Sequence, residues 1–592
     1  MGTMYMNKTK LFVGLIIFLA TVLAVTSFWD DSLIVDEIPH IGAGYSYLTQ
    51  KDMRLNPEHP PLAKDLAALP LLPLKLNQDA FQTESWQKDL NGQWKFGRAL
   101  IFDSGNNAEL ITRLVKLPML LFFIFSAVLV FFWGKKLYGK KASLIALILF
   151  SFSPTVLAHS RFVTTDMPAL FGVLSATYFF IRWLKNQNKK NFFIAGSALG
   201  IALLTKFSTF LLVPFLFALV LIYFFAFRNK LKASGLKLIA RFALLVTFAF
   251  AVVWSIYGLQ MINYSAERQY ADTRDNLLTF GNRKLAEPVI WASDKSILRP
   301  LAQYGLGLLM VTQRSVGGNT TYFMGEVSRS GWRSYFPIIY LIKEPLAWWG
   351  LVLIALLGIS TQVKSLKLKI KSVKDWTRNH FAEVAMLLWL AIYWFVSIRS
   401  NLNIGVRHLL PIYPFAILLV SGQLARLACR IKKKIVLNSC FIVLAFFLGW
   451  YIFENLSVYP YYLTYFNQLV GGPRGGYEYA VDSNLDWGQD LKRLSQWVEE
   501  NNISKIEFDY FGWANPTYYL DDRYIWASST KYTDARDFTA NNQSDGWLAV
   551  SASFLQGSQG SPDQYKPVNY LWLKNHTPVT TIGNSIFVYR IK

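Results

Sequence analysis

Long apolar stretches recur along most of this 592-residue chain, and they restrict the folds that it can adopt. A helix needs about 20 mostly apolar residues to cross a bilayer, and 53% of the residues here are hydrophobic. The sequence therefore predicts a polytopic α-helical membrane protein with about eleven transmembrane helices. The predicted spans, with ends uncertain by several residues, are 11–29, 113–133, 142–158, 167–184, 191–205, 208–227, 239–257, 337–358, 382–398, 406–425 and 435–453.

The formal charge of +23 comes largely from basic clusters in alternate loops between these spans. Cytoplasmic loops of membrane proteins carry an excess of Lys and Arg. The alternation predicts a cytoplasmic N-terminus and a C-terminal region outside the cytoplasm. Because the clusters do not form one soluble basic face, we expect no nucleic-acid partner. The basic residues of the predicted inside loops are Lys135, Lys136, Lys140, Lys141, Arg182, Lys185, Lys189, Lys190, Arg228, Lys230, Lys232, Lys237, Arg241, Lys364, Lys367, Lys369, Lys371, Lys374, Arg378, Arg430, Lys432, Lys433 and Lys434.

The same topology places two long loops, 30–112 and 258–336, on the outer side together with the tail, 455–592. The tail has strand-like runs at 505–511, 547–553 and 585–591 and a predicted amphipathic helix at 488–500. We therefore expect a membrane domain over 1–454 and an extracytoplasmic α/β domain over 455–592.

The first outer loop opens with two adjacent carboxylates, Asp36 and Glu37. Carboxylates beside a membrane are costly to bury, so they indicate a site. The alternative is a polar exit from the first helix. The loop continues with a run at 56–62 whose three prolines restrict the backbone. The further candidates in this loop are His40, Glu58 and His59, although His59 alone would read as an ordinary loop histidine.

A third carboxylate, Asp166, ends the short outer loop before the fourth span. One interpretation is that Asp166 only caps this helix, with Pro168 in its first turn. The other is that Asp36 and Asp166, which reach the same membrane face from separate spans, converge at one site.

Cations occur at the same predicted face. Arg407 and His408 enter the tenth span, and a cation at that depth usually has an anionic partner or ligand. Snorkelling to the lipid headgroups is the alternative for Arg407 and for Lys206. We expect Arg407, His408, Lys206 and Arg161 to take part in binding a phosphate.

Carboxylates and phosphate-binding cations on the outer face suit transfer of a group carried on a lipid phosphate, since nucleotide-activated donors are generally absent there. The Asp36-Glu37 pair, the following His-Pro segment, Thr165-Asp166 and the run 407–411 (Arg-His-Leu-Leu-Pro) resemble those of the protein O-mannosyltransferase and aminoarabinose transferase group, which are membrane glycosyltransferases of the GT-C fold. The resemblance covers the first 455 residues in layout. The tail motif at 482–490 is similar to the extension of many prokaryotic relatives, which implies a plasma-membrane location.

The resemblance implies an inverting transfer of a monosaccharide from a polyprenyl-phosphate donor to an acceptor hydroxyl. In that scheme Asp36 is the general base, Glu37 and Asp166 position the substrates, and Arg407, His408 and Lys206 stabilise the departing phosphate. No cofactor is required. A divalent cation is an open alternative, held by Asp36, Glu37 and His59 if it is present. The eukaryotic members carry a large luminal insertion where this chain has only 258–336, so the acceptor class, whether lipid, glycan or protein, stays open.

Two other functions compete with this interpretation. A lipid or glycan transporter or flippase predicts ionisable residues at the bilayer midplane and broken helices in internal repeats. A non-catalytic assembly protein, whose tail binds a partner, predicts that Asp36 is dispensable.

Overall fold

The computed structural model of the protein describes residues 2–228, 234–366, 373–430, 434–560 and 569–592. Each of the eleven predicted spans falls on helical backbone in these ranges. Several lysines of the predicted inside clusters lie outside the described residues, namely Lys230, Lys232, Lys367, Lys369, Lys371, Lys432 and Lys433.

The ordered elements of the first half of the described chain are helices joined by loops. Its α-helices are α1 (Gly2–Ser27), α2 (Glu37–Thr49), α3 (Leu62–Ala68), α4 (Glu84–Gln87), α5 (Gln93–Arg98), α6 (Ala108–Lys116), α7 (Leu120–Ser151), α8 (Pro154–Ser160), α9 (Asp166–Lys185), α10 (Lys189–Leu203), α11 (Leu212–Phe227), α12 (Gly235–Gln260), α13 (Ala266–Asn276), α14 (Arg283–Ala292) and α15 (Arg299–Gly317).

A short hairpin of β1 (Thr321–Phe323) and β2 (Glu326–Ser328) precedes the remaining membrane helices. These are α16 (Tyr335–Lys343), α17 (Leu346–Leu366), α18 (Val373–Asn379), α19 (Phe381–Arg399), α20 (Tyr413–Arg430) and α21 (Lys434–Ser457). Two 3-10 segments, Phe207–Leu211 and Val406–Ile412, lead into α11 and α20.

Helix α7 contains a chain reversal. The rings of Phe123 and Phe150 stack with centroids 5.9 Å apart, whereas a straight helix would separate these positions by about 40 Å. The reversal is at Gly139, whose φ of +83° suits a residue without a side chain. The two antiparallel halves correspond to the separate predicted spans 113–133 and 142–158.

Within the described ranges, eight helical stretches are long and apolar enough to cross a membrane, or nine when the bent pair α16–α17 counts as one span. The hairpin in α7 and the short α10, which has 15 residues, account for the difference from eleven. The predicted fold class, a polytopic helical membrane protein with an α/β region at its C-terminus, is confirmed, while the count of eleven spans stays a prediction.

The predicted span 337–358 is not one helix. Helices α16 and α17 meet at 107°, because Pro345 removes a backbone donor and holds Glu344 in an extended conformation. At this bend the Lys343 ammonium donates to the carbonyl oxygens of Leu463 and Asn484, at 2.8 and 2.7 Å. The bend therefore lies against the tail of the chain.

The helix bundle has two chemically different ends. At one end the Arg241 guanidinium donates to Gln187, and Arg426 pairs with Glu383, so loops predicted as inside contact one another. At the opposite end, Ser32 and Val35 donate backbone hydrogen bonds to the tail. We call this second end the domain end.

The C-terminal region forms a five-stranded mixed sheet in the order β4-β3-β5-β7-β6. Strand β3 is parallel to β4 and β5, and β7 is antiparallel to β5 and β6, with Val550 opposite Phe587. The predicted strands and helix of the tail are all present. The elements are α22 (Leu491–Glu500), β3 (Ile506–Asp509), α23 (Pro516–Leu520), β4 (Tyr524–Trp526), α24 (Ala535–Asn541), β5 (Trp547–Ser551), α25 (Ala552–Gly560), β6 (Thr580–Ile582) and β7 (Ile586–Arg590).

One contiguous cluster of buried apolar side chains joins the membrane helices to this sheet. It includes Trp389 in α19, Trp487 at the junction and Phe508 in β3. Burial of such large aromatic side chains is a major source of packing free energy. The bundle and the sheet therefore share one core, which fixes the tail against the domain end.

Candidate active site

A cavity opens at the domain end between the ends of several helices. It contains about 1020 Å³ of space free of protein atoms, including its mouth. Its lining combines charged and imidazole side chains with apolar ones. The charged residues and histidines are Asp36, Glu58, His59, Lys206, Arg314, Arg407 and His408, and the apolar residues include Phe207, Leu211, Val311, Phe336 and Val396.

Arg407 bridges the two carboxylates that were predicted to converge. Its Nη1 lies 2.7 Å from Oδ2 of Asp36 and 3.3 Å from Oδ2 of Asp166. Asp36 immediately precedes α2, Asp166 begins α9, and Arg407 lies in the 3-10 segment before α20. Helix packing therefore brings together three groups that are distant in sequence.

Asp166 does more than begin a helix. Its carboxylate accepts from the Lys206 ammonium and from Arg407, and its side chain is fully buried. The residue before it, Thr165, makes no side-chain capping hydrogen bond. The cap-only interpretation therefore does not describe the contacts that this carboxylate makes.

Arg407 does not extend to the headgroup region, since its side chain is only 9% exposed. Its Nε donates to Ser483 Oγ at 3.1 Å, and its guanidinium lies 4.2 Å from the centroid of the Trp487 ring. Within the part of the chain that the structure describes, Nη2 makes no hydrogen bond. One edge of the guanidinium is thus available to a ligand.

The proline-rich run 56–62 forms one side of the cavity mouth. Glu58 accepts from the side-chain amides of Asn91, at 3.1 Å, and Gln93. The buried Lys64 ammonium donates to the His59 carbonyl at 2.7 Å and to Asn56. These hydrogen bonds hold the loop in place, and burial lowers the pKa of Lys64 to about 7.

His59 lines the cavity, and His40 lies behind it. The two rings meet edge to face with centroids 4.9 Å apart, and His40 Nδ1 lies 2.7 Å from the Val163 carbonyl oxygen. Burial lowers the pKa of both imidazoles. His40 therefore supports His59 and does not line the cavity itself.

Glu37 and Arg161, two further predicted site residues, are not part of the cavity lining. Glu37 is buried and accepts from the backbone N–H groups of Ile34 and Val163, each at 2.9 Å, and Lys116 lies 3.5 Å from it. Burial raises the pKa of Glu37. Arg161 pairs with Asp31 at 2.7 Å, so both residues brace the loops that carry Asp36 and Asp166.

Arg314 was not among the sequence candidates. It lies near the end of α15, is exposed, and lines the cavity mouth. No ion pair involves it within the described ranges. An isolated arginine in an amphipathic helix carries no distinguishing sequence signal, which is why sequence reasoning passed over it.

His408 also lines the cavity, and its Nε2 is buried without a hydrogen-bond partner among the described residues. The predicted ligands of a divalent cation, Asp36, Glu37 and His59, do not all meet in the cavity, because Glu37 is not part of its lining. No group of three or more metal-ligating side chains occurs in the portion described here. The divalent cation stays a prediction without a defined ligand set.

The fold and the site together define a multi-pass membrane protein with a cavity of carboxylates and cations at the ends of its helices. The sequence model of the family described as dolichyl-phosphate-mannose-protein mannosyltransferase matches residues 108–254. No curated protein sequence matches this chain.

Solved structures share the architecture at low sequence identity. The Saccharomyces cerevisiae protein O-mannosyltransferase Pmt1-Pmt2 complex, bound to the sugar donor, is 13% identical, with a TM-score of 0.53 over 83% of this chain and 92% of that chain. The undecaprenyl-phosphate-bound ArnT of Cupriavidus metallidurans is 11% identical, with a TM-score of 0.45 and 98% coverage of both chains. The likeness to the yeast complex and the family match confirm the predicted resemblance and its GT-C fold.

Proposed function

We propose that the protein is an inverting glycosyltransferase that moves a monosaccharide from a polyprenyl-phosphate donor to an acceptor hydroxyl at the outer membrane face. The observation that carries this proposal is the cavity itself. Its lining joins a partly exposed carboxylate and several cations to apolar side chains such as Phe207, Leu211 and Val396. A lipid-linked sugar phosphate has the complementary parts, namely a chain, an anion and a sugar.

The donor phosphate binds beside Lys206 and Arg407, with Arg314 at the mouth. Arg407 offers its free Nη2, and Lys206 lies on the other side of Asp166. Because these donors are already in place, they stabilise the charge that develops on the leaving phosphate without reorganisation. The lipid chain passes along Phe207, Leu211 and Val396 towards the bilayer.

Asp36 acts as the general base. Its side chain is 23% exposed, whereas that of Asp166 is fully buried, so Asp36 is the carboxylate that an acceptor can reach. It accepts the proton of the acceptor hydroxyl as the oxygen attacks the anomeric carbon, and the bond from that carbon to the phosphate oxygen breaks. Polyprenyl phosphate leaves as an anion and needs no general acid. We expect Glu58 and His59, which line the same cavity, to contact the sugar or the acceptor.

The test uses the full chain reconstituted in liposomes with radiolabelled polyprenyl-phosphate hexoses and pentoses, and with the same sugars on nucleotides. We expect release of free polyprenyl phosphate and transfer of label from at least one lipid donor, and none from nucleotide donors. Movement of an intact lipid-linked sugar across the bilayer without cleavage would instead establish a transporter. Binding of neither donor would reject the proposed class.

A further inference from the structure

The segment Asp482–Asp490 lies between the helix bundle and the C-terminal sheet. Apart from Asp482, which is partly exposed, all of its residues are buried. Two of its backbone carbonyls accept hydrogen bonds from the loop that follows α1. Val35 N donates to the Trp487 carbonyl and Ser32 N to the Gln489 carbonyl, each at 2.9 Å. The segment is thus a fixed part of the domain end.

This segment contacts Arg407 directly. Ser483 Oγ accepts from Arg407 Nε at 3.1 Å and itself donates to the Ile404 carbonyl. The Trp487 ring covers one face of the guanidinium at 4.2 Å, a distance at which a cation and an aromatic ring attract each other. Asn484 Oδ1 accepts from Val406 N at 2.9 Å, which fixes the backbone beside Arg407.

The sheet holds the segment from its other side. Ser553, just after β5, donates from its backbone N–H to Asp486 at 2.9 Å and accepts from Asp482 N at 3.1 Å. Ser585, just before β7, donates to Asp490 at 2.6 Å. Because both ends of the segment are bound to strand ends, the position of Ser483 depends on the folded sheet.

We infer that the C-terminal domain is part of the catalytic apparatus, and that Ser483 and Trp487 are positioning residues that orient Arg407 towards the donor phosphate. The inference rests on the proposed function. Arg407 has three contacts that fix its guanidinium: the carboxylates at Nη1, Ser483 at Nε and Trp487 on one face. Among the described residues, Nη2 is the guanidinium nitrogen that makes no hydrogen bond, and the tail residues Ser483 and Trp487 help to set its direction. Arginine recognises phosphate through a planar fork, so a small rotation would misdirect the remaining donor.

The test is a double-mutant cycle on the full-length protein, with Ser483→Ala, Arg407→Lys and the combination. Lysine keeps a charge but lacks Nε and the planar group. We expect Ser483→Ala to lower kcat by roughly tenfold in the parent, as for a lost hydrogen bond to a charged group, and by less than about twofold in Arg407→Lys. Such coupling is the signature of a residue that acts through Arg407. Equal losses in both backgrounds, or no loss in the parent, would overturn the inference.

Ser544→Ala is the matched control, because Ser544 is a buried serine of the same domain whose hydroxyl bonds Asn542, and within the described ranges it bonds neither Arg407 nor residues 482–490. It should have the same small effect in both backgrounds. If Ser483→Ala does not fold, Trp487→Phe and Trp487→Leu replace it. The phenylalanine keeps a ring against the guanidinium, so it should retain more activity than leucine, and equal losses would contradict the inference.

The Kd for undecaprenyl phosphate can be measured for the same four proteins of the cycle, and this measurement does not depend on sugar transfer. Ser483→Ala should weaken binding in the parent and not in Arg407→Lys. If the parent binds this lipid with the expected coupling but transfers no sugar, the proposed reaction is wrong and the positioning role stands. If sugar is transferred but neither kcat nor the Kd shows coupling, only the positioning role is wrong.

Discussion

Asp36 and Arg407 lie 371 residues apart in the chain, and their side chains are joined by a 2.7 Å contact between Oδ2 and Nη1. A largely buried ion pair is weak evidence for stability, because desolvation offsets most of its attraction. This pair also lines a cavity. Its position is therefore better explained by a role in binding and chemistry than by a role in folding.

Replacement of Glu37 separates a bracing role from a catalytic one. Glu37→Gln keeps a single acceptor oxygen for the two backbone donors, Ile34 and Val163. We expect the free energy of unfolding to fall by about 1–3 kcal/mol, with kcat per folded molecule changed by less than about fivefold. Thermal unfolding in detergent measures the change in stability, and transfer rates divided by the concentration of folded protein give kcat. A large loss of kcat with unchanged unfolding would restore the catalytic role that the sequence suggested.

Arg314 should contribute to donor binding. Arg314→Ala removes a cavity-lining cation that has no ion pair among the described residues, so we expect roughly tenfold weaker binding of undecaprenyl phosphate, the loss typical of a charge-assisted hydrogen bond. The matched control is Arg274→Ala on α13, since Arg274 is exposed and pairs with Asp275. The Kd can be measured by ligand-dependent thermal shift. Equal effects of the two substitutions would place the phosphate elsewhere.

The stability of the protein should depend on the protonation of Asp486. Burial raises the pKa of this carboxyl from 3.8 to about 8, so between these values the folded protein retains a proton that the unfolded chain has lost. The contribution of Asp486 to the free energy of unfolding should therefore be fully present below about pH 4. It should decrease as the pH rises to 8, by at most about 1.4 kcal/mol per pH unit. Asp486→Asn removes the titrating group and should flatten this part of the profile, which scanning fluorimetry from pH 5 to 9 would show. If stability depends on pH as steeply in Asp486→Asn as in the parent, other titrating groups determine that dependence.

The sequence allowed the membrane spans to be predicted, because apolar length and loop charge are local properties. The bend between α16 and α17 was missed although Pro345 marks it, since proline in a membrane span can also be accommodated within a helix. The convergence of Asp36, Asp166 and Arg407 was predicted from topology, which brings loops of one side together.

The orientation of single side chains was not predictable to the same extent. Asp36 and Glu37 are adjacent, yet one lines the cavity and the other braces the loop behind it. Successive residues of a helix point about 100° apart, and the rotation of α2 is set by its packing. Ser483 and Trp487 were noted only within a motif, because their contact with Arg407 is made across the interface between bundle and sheet.

The central claim, that Asp36 accepts the proton of the acceptor, is tested most directly by the rate of sugar transfer from a polyprenyl-phosphate donor in Asp36→Asn. Asp79→Asn, which changes an exposed acid of the same outer loop that bonds nearby Asn77 and does not line the cavity, is the matched control. We expect Asp36→Asn to lower kcat by about 10²–10⁴-fold while it still binds undecaprenyl phosphate, and Asp79→Asn to transfer at the parental rate. Transfer by Asp36→Asn as fast as by the parent would contradict the base role.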